Sequence, residues 1–286
     1  MLGIPSYAFG VVADNWSAAT PGADPGTLLA DPGADDNVKS ATTALIATPL
    51  SQPCYMVQIG ITGTSASGVD TSALCDIMYD PAGGTSWSVL IPDLICGYRG
   101  GAGASIFTAA SSYWFPLYVP RGASIGARWQ SEVASPSAGT RARVQATLWG
   151  GPSAPGFWYG TKVTAVGADT STSAGLDLDP GSTGTYSAWT SIGGTSNPSF
   201  GFVTIGVQGT ATTHTADTYA VQYGFGDTNI PGAQIRFGYS ITEIISSYPE
   251  HMGCFVDVPA GTQMQVRATG SDATSEDPSV VLYGVS

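Results

Sequence analysis

Charge is scarce in this chain. Of 286 residues only 9 are Lys or Arg and 21 are Asp or Glu, which leaves charged residues at 10% and a formal net charge of −12. A surface so short of cations repels nucleic acid and anionic membrane rather than binding them. Histidine is scarcer still, with His214 and His251 alone. That leaves little material for a Ser-His-Asp relay or a zinc centre. The four cysteines, Cys54, Cys75, Cys96 and Cys254, show no C-x-x-C spacing. No run approaches the roughly 18 apolar residues of a membrane-spanning helix. The opening Met1-Leu2-Gly3-Ile4-Pro5-Ser6 lacks the positive region of a secretory leader. Neither a phosphate loop nor H-E-x-x-H occurs.

What is present is small, uncharged and repeated. Gly (38) and Pro (19) stand among abundant Ser, Thr and Ala, yet a 43% hydrophobic content supports a packed interior. Val119-Pro120-Arg121-Gly122 and the strand-like run to Gln130 return as Val258-Pro259-Ala260-Gly261 and the run to Thr269, with Arg128 falling on Arg267. Asp31-Pro32-Gly33 matches Asp179-Pro180-Gly181, Gly97-Tyr98 matches Gly238-Tyr239, and Leu148-Trp149-Gly150 matches Leu282-Tyr283-Gly284. Val57, Ile59 and Ile61 alternate with polar or small residues, as do Val203, Ile205 and Val207; period two means a strand with one buried face. Ile125, Ala127 and Trp129 do the same against Met264, Val266 and Ala268. Such segments, short and bounded by Gly, Pro, Asp or Ser, predict roughly eight strands per copy. Only 241–247 has a helical turn pattern. The expectation is all-β: two tandem, internally repeated antiparallel β-sandwich (jelly-roll-like) domains, residues 1–151 and 152–286, joined through the Gly/Pro cluster at 150–156.

The repeat also filters the chemistry, because a residue required in both units should recur in both. Each cysteine falls where the other copy has a hydrophobic residue (Phe200, Val221, Phe237 and Phe115), the mark of a small buried apolar side chain rather than a bridge. Gly122-Ala123-Ser124-Ile125-Gly126 fits G-x-S-x-G but leads from a turn into a strand, and Gln263 replaces Ser124 in the second copy. The carboxylate neighbours Asp177 with Asp179, and Glu276 with Asp277, offer acid/base pairs for glycan hydrolysis but sit in loop-like sequence. Asp31, Asp35, Asp36 and Asn37 offer oxygen ligands to calcium. Trp16, Trp87, Trp114 and Trp158 offer rings for a sugar platform. None of these patterns designates a catalytic, cofactor or metal site, and no cofactor is expected. Arg128 and Arg267 are expected to point away from their own cores, toward acidic or carbonyl partners at a seam.

The run Val258-Pro259-Ala260-Gly261-Thr262-Gln263-Met264-Gln265-Val266-Arg267, with Val119–Arg128 as its looser first copy, resembles a motif of repeated β-sandwich units in structural proteins of tailed bacteriophage virions. The resemblance implies a non-enzymatic component of the particle surface (a head fibre, decoration protein or tail appendage) made in the host cytoplasm. It implies a homo-oligomer, expected as a trimer, with other virion proteins as partners and the loop 24–37 as a docking element. Host attachment through a surface glycan is a further implied role. The competing class is a pair of carbohydrate-binding modules serving as a receptor-binding protein.

Overall fold

The computed structural model describes residues 10–15, 26–33, 35–62, 72–96, 111–132, 141–151, 160–208, 217–226, 230–239, 253–271 and 278–286. The first nine strands are β1 (Gly10–Asp14), β2 (Thr27–Leu28), β3 (Thr43–Ile46), β4 (Cys54–Thr62), β5 (Ala73–Asp80), β6 (Ser88–Ile95), β7 (Ser111–Phe115), β8 (Ser124–Ser131) and β9 (Arg143–Gly150). The next nine are β10 (Val163–Val166), β11 (Leu176–Asp177), β12 (Thr190–Ile192), β13 (Phe200–Gln208), β14 (Asp217–Phe225), β15 (Ile230–Tyr239, described by its backbone), β16 (Cys254–Val258), β17 (Met264–Gly270) and β18 (Ser279–Val285). The helical turn expected at 241–247 lies outside the described residues.

Four antiparallel sheets follow one scheme twice. In the first sandwich β1–β9–β4–β7, with β2 also on β9, faces β3–β8–β5–β6. In the second, β10–β18–β13–β16, with β11 also on β18, faces β12–β17–β14–β15. Adding nine to each strand number converts the first pattern into the second. This strand order is a jelly roll, in which two sheets share one apolar interior. Among the described residues each unit has nine strands rather than eight because two short strands divide one edge position. The short β1, β3 and β12 went unread in the sequence, since three to five residues carry too little alternation to register.

The repeated motifs build the same local structures. In Pro120–Ala123 and Pro259–Thr262 a backbone bond closes a turn (Ala123 N to Pro120 O, 3.3 Å; Thr262 N to Pro259 O, 3.2 Å). Its third residue has positive φ, 91° at Gly122 and 79° at Gly261, which only glycine adopts without strain. Asp31 and Asp179 each accept a bond from the glycine two residues on, at 2.9 and 2.7 Å. Val57, Ile59 and Ile61 are buried in the first core, and Val203 and Ile205 in the second; Val207 packs half-buried beside them.

One sequence match does not survive in register. Val57 pairs with Leu148, whereas its equivalent Val203 pairs with Gly284 rather than Leu282. The two Leu-aromatic-Gly endings are therefore displaced by two residues. Structurally, Thr147 corresponds to Tyr283 and Trp149 to Val285. In its new register β18 is buried on both faces, with Tyr283 and Val285 at its outer positions and Leu282 and Gly284 turned inward.

Candidate functional site: the outer sheet faces

The outer face of the second five-stranded sheet is a seam. Val163 on β10, Val285 on β18 and Phe202 on β13 lie side by side in register, and all three belong to the hydrophobic core of the first sandwich. Tyr283 enters that core beside Tyr113 and Phe115, with edge-on rings at centroid distances of 5.6 and 6.1 Å. Its hydroxyl donates to Asp93 O (2.9 Å) and accepts from Ile95 N (2.7 Å), satisfying the edge of β6. Tyr113 donates to Ile95 O at 2.6 Å. Burial pushes both phenols far above their ordinary range, so they stay neutral donors. Gly206 lies where a Cβ would press on Ile95 Cγ2 (2.6 Å) and the Tyr113 hydroxyl (2.8 Å), so close approach here requires glycine. Polar ties flank the plug: Gln130 Nε2 donates to Thr170 O and Ser173 Oγ, Ser173 donates to Asn37 Oδ1, and Gln208 donates to Ser72.

The corresponding face of the first sandwich looks outward. Val11, Trp149 and Met56 occupy the register positions of Val163, Val285 and Phe202. Val11 is 48% exposed, and Trp149, Met56 and Trp114 are half-buried. The Trp114 and Trp149 rings stack at 6.3 Å and 28°. Gln58, paired with Trp114 and Thr147, continues the face with neutral polar groups.

The outer faces of the four-stranded sheets carry the two arginines, both directed away from their own cores. Arg128 stands opposite Asp76, and Arg267 opposite Gln222. Asp76, 3% exposed, accepts from Lys39 Nζ and from Asp93 N on one oxygen and from Arg128 Nε on the other, at 2.8–2.9 Å. Lys39 also reaches Asp93 at 2.8 Å, and Asp93 O is one of the two backbone atoms that bind Tyr283. Burial by itself would raise the Asp76 carboxyl, but the Lys39 charge, the Lys39 and Asp93 N–H bonds and Arg128 outweigh it and hold it below the usual range. A carboxylate saturated in this way is not free to act as a base. In the second sandwich Arg267 donates twice to Gln222 Oε1 (2.8 and 2.6 Å) and lies over the rings of Tyr186 and Trp189 at 4.6 and 4.4 Å. Arg128 thus reaches the seam through Asp76, while Arg267 finds its carbonyl partner on its own sheet.

The other sequence candidates scatter. Ser124 is buried at the start of β8 and donates to Gly84 O at 2.8 Å. His214, His251, Glu276, Asp277, Trp16 and Trp158 lie outside the described residues. Burial raises Asp177, and Asp179 is engaged by its own turn. Asp31, Asp35 and Asp36 are exposed, and no cluster of three metal-ligating side chains occurs among the described residues. Cys54, Cys75 and Cys96 are buried free thiols, and Cys254 is a half-buried one beside Tyr223 Oη at 3.1 Å. Reasoning from sequence missed Lys39, whose partners Asp76 and Asp93 are 37 and 54 residues away. The signal that would have exposed the seam is the unbroken apolar run Val280-Val281-Leu282-Tyr283, which marks a strand buried on both faces.

No family model and no curated protein matches the chain. Among solved structures, PNGF-II is 8% identical at a TM-score of 0.37, covering 98% of this chain and 65% of its own. The chain thus spans about two thirds of that protein's length. Recombinant peptide:N-glycanase F is 12% identical at 0.33, covering 90% and 93%. A tandem CBM22 pair from Paenibacillus barcinonensis Xyn10C is 9% identical at 0.27, covering 98% and 91%. At these scores the likenesses carry no functional weight, and the strand order alone defines the fold.

Proposed function

We propose that the chain is a non-enzymatic structural protein of the particle surface of a tailed phage, acting as a homo-oligomeric head fibre, decoration protein or tail appendage. The division at 1–151 and 152–286 goes with this reading. The observation that carries it is the recurrence of one nine-strand jelly roll in which both copies of the virion-like motif form the same Pro-x-Gly turn ahead of an outward arginine. Jelly rolls recur in viral capsid and lectin domains. The buried ionic cluster supports the same view, because it ties the seam instead of presenting a free carboxylate. A trimer of such chains would offer six related sandwiches to a three-fold or six-fold site. Co-sedimentation with purified particles, followed by cryo-EM of those particles, tests the reading. Density for the double sandwich on the surface is expected, and turnover of a polysaccharide by the purified chain would replace the reading with an enzyme.

A second reading has one observation of its own. The stacked Trp114–Trp149 pair beside Gln58 suits the apolar face of a sugar ring, as in a carbohydrate-binding receptor protein. Glycan-array binding abolished by Trp114→Ala would favour it.

A further inference from the structure

We propose that the outer face of the second four-stranded sheet, around Arg267, Tyr186 and Trp189, binds an acidic saccharide, a sugar ring that carries a carboxylate. The inference goes beyond the particle-surface function proposed above and does not rest on it.

The repeat isolates the site. Arg128 and Arg267 stand at equivalent outward positions, and the residue opposite each on the neighbouring strand is Asp76 in the first sandwich and Gln222 in the second. A second equivalence comes from two serines. Ser40 donates its N–H to Trp129 O and accepts from Trp129 N at Oγ, and Ser187 does the same with Ala268. The residue before each is Lys39 in the first copy and Tyr186 in the second. The cluster Lys39–Asp76–Arg128 therefore returns as Tyr186–Gln222–Arg267. In the first copy the Asp76 carboxylate meets Arg128 Nε at 2.8 Å and neutralises it. In the second the amide oxygen of Gln222 takes that place, accepting from Nε and Nη2 at 2.8 and 2.6 Å. The second copy keeps the cation without the anion. Among the described residues no carboxylate comes within ion-pair distance of Arg267, in a chain with 21 acidic residues against 9 basic ones. Ser191, Gln265, Thr269, Ala220 and Gly224, aligned by register on the same face, are all uncharged.

The exchange sets what the face can hold. Gln222 engages Nε and one proton of Nη2, which leaves the Nη1/Nη2 edge of the fork for both oxygens of a carboxylate. Trp189 and Tyr186, whose rings lie 4.4 and 4.6 Å from the guanidinium carbon, are half-buried and offer apolar surface to the C–H groups of a sugar ring. Beside them Tyr186 Oη, Gln265 Oε1 and Thr269 Oγ1 are shielded and have no hydrogen-bond partner. Gln265 and Thr269 are only half-buried as residues, so a side-chain rotation turns these oxygens outward. An amide oxygen can only accept, so the face calls for donors as well as for an anion. A peptide carboxylate brings the anion without the donors, and a neutral sugar brings hydroxyl donors without the anion. A sugar acid carries both on one ring.

The experiment titrates the full chain by calorimetry with sialyllactose and with oligogalacturonate, using lactose and oligoglutamate as controls. At least one of the two acids is expected to bind, about tenfold tighter than either control, as one charge-assisted contact allows. Gln222→Glu restores the first sandwich's arrangement by setting a carboxylate against Arg267. It should hold or raise the melting temperature while weakening the sugar acid about tenfold, a split that a merely structural cage would not produce. Should Gln222→Glu fail to fold, Arg267→Lys serves, because an ammonium keeps the charge without the fork and should weaken the acid several-fold. No binding of either acid, equal binding of lactose, or an affinity unchanged in the variant used overturns the proposal. Oligoglutamate bound in place of both sugar acids overturns it in favour of a protein partner. Binding lost in Trp114→Ala but kept in Gln222→Glu moves the sugar to the first sandwich and overturns it as well. A chain that binds the acid without decorating particles bears out the site and sinks the virion function. One that decorates particles without binding either acid sinks the site alone.

Discussion

Asp76 is a buried carboxylate whose two oxygens are both occupied, and removing it takes the carboxylate from Arg128 and leaves Lys39 with Asp93 as its remaining ion-pair partner. Asp76→Ala is expected to cost about 1–3 kcal/mol in urea unfolding, the loss of charge-assisted hydrogen bonds from Lys39, Arg128 and Asp93 N, discounted because Arg128 is one third exposed and Lys39 keeps Asp93. Its lowered pKa fixes the sign of the pH effect. The stability it contributes is present above the ordinary carboxyl value near 3.8 and is lost as pH falls through the folded value below it. Wild type should therefore lose stability on acidification in that window, and Asp76→Asn should show a flatter acid limb. The thiols act at the other end. Burial pushes Cys54 and Cys96 up to about 12, so their contribution is intact below the ordinary thiol value of 9.0 and lost as pH rises toward 12. Denatured, unreduced protein should titrate four thiols. In the native chain Cys254 should label ahead of Cys54, Cys75 and Cys96, and equal rates for all four would contradict the burial.

At the scale of strands, the two outward arginines show how far the sequence could be read. Their equivalence followed from the repeated turn, because Pro-x-Gly fixes where β8 and β17 begin and alternation then fixes which residues face out. Their partners did not follow, since Tyr186 and Trp189 come from a loop that no periodicity marks. Arg267→Ala removes two ring contacts and two hydrogen bonds and should lower stability by about 1–3 kcal/mol. Arg267→Lys should recover only part of that loss, because an ammonium cannot match the flat, forked guanidinium between two rings. A melting temperature unchanged in both variants would show that the cage contributes nothing. The jelly roll was legible for a similar reason: long alternating strands such as β4 and β13 declare a two-sheet interior. The seam was not legible, because a strand buried on both faces looks like any apolar run until a second sheet is found against it.

On the scale of the whole molecule, the core shared by the two sandwiches is expected to couple them into one folding unit in the wild type. Calorimetry should show a single transition, coincident with loss of tryptophan signal. Tyr283→Ala leaves Tyr113 and Phe115 uncovered, and should cost about 3–5 kcal/mol and split the melt in two. Two resolved transitions in the wild type would mean that the seam does not couple the halves. The plug also imposes an order in time. Ile95 and the tyrosine that satisfies it are 188 residues apart, so a ribosome making roughly 5–20 residues per second exposes β6 and β7 many seconds before β18 exists. For that interval the nascent first sandwich displays Tyr113, Phe115 and an unpaired strand edge. Its newborn form should therefore be a client of chaperones, and polysomes translating this message would be prone to stick to one another through the gap that β18 later fills.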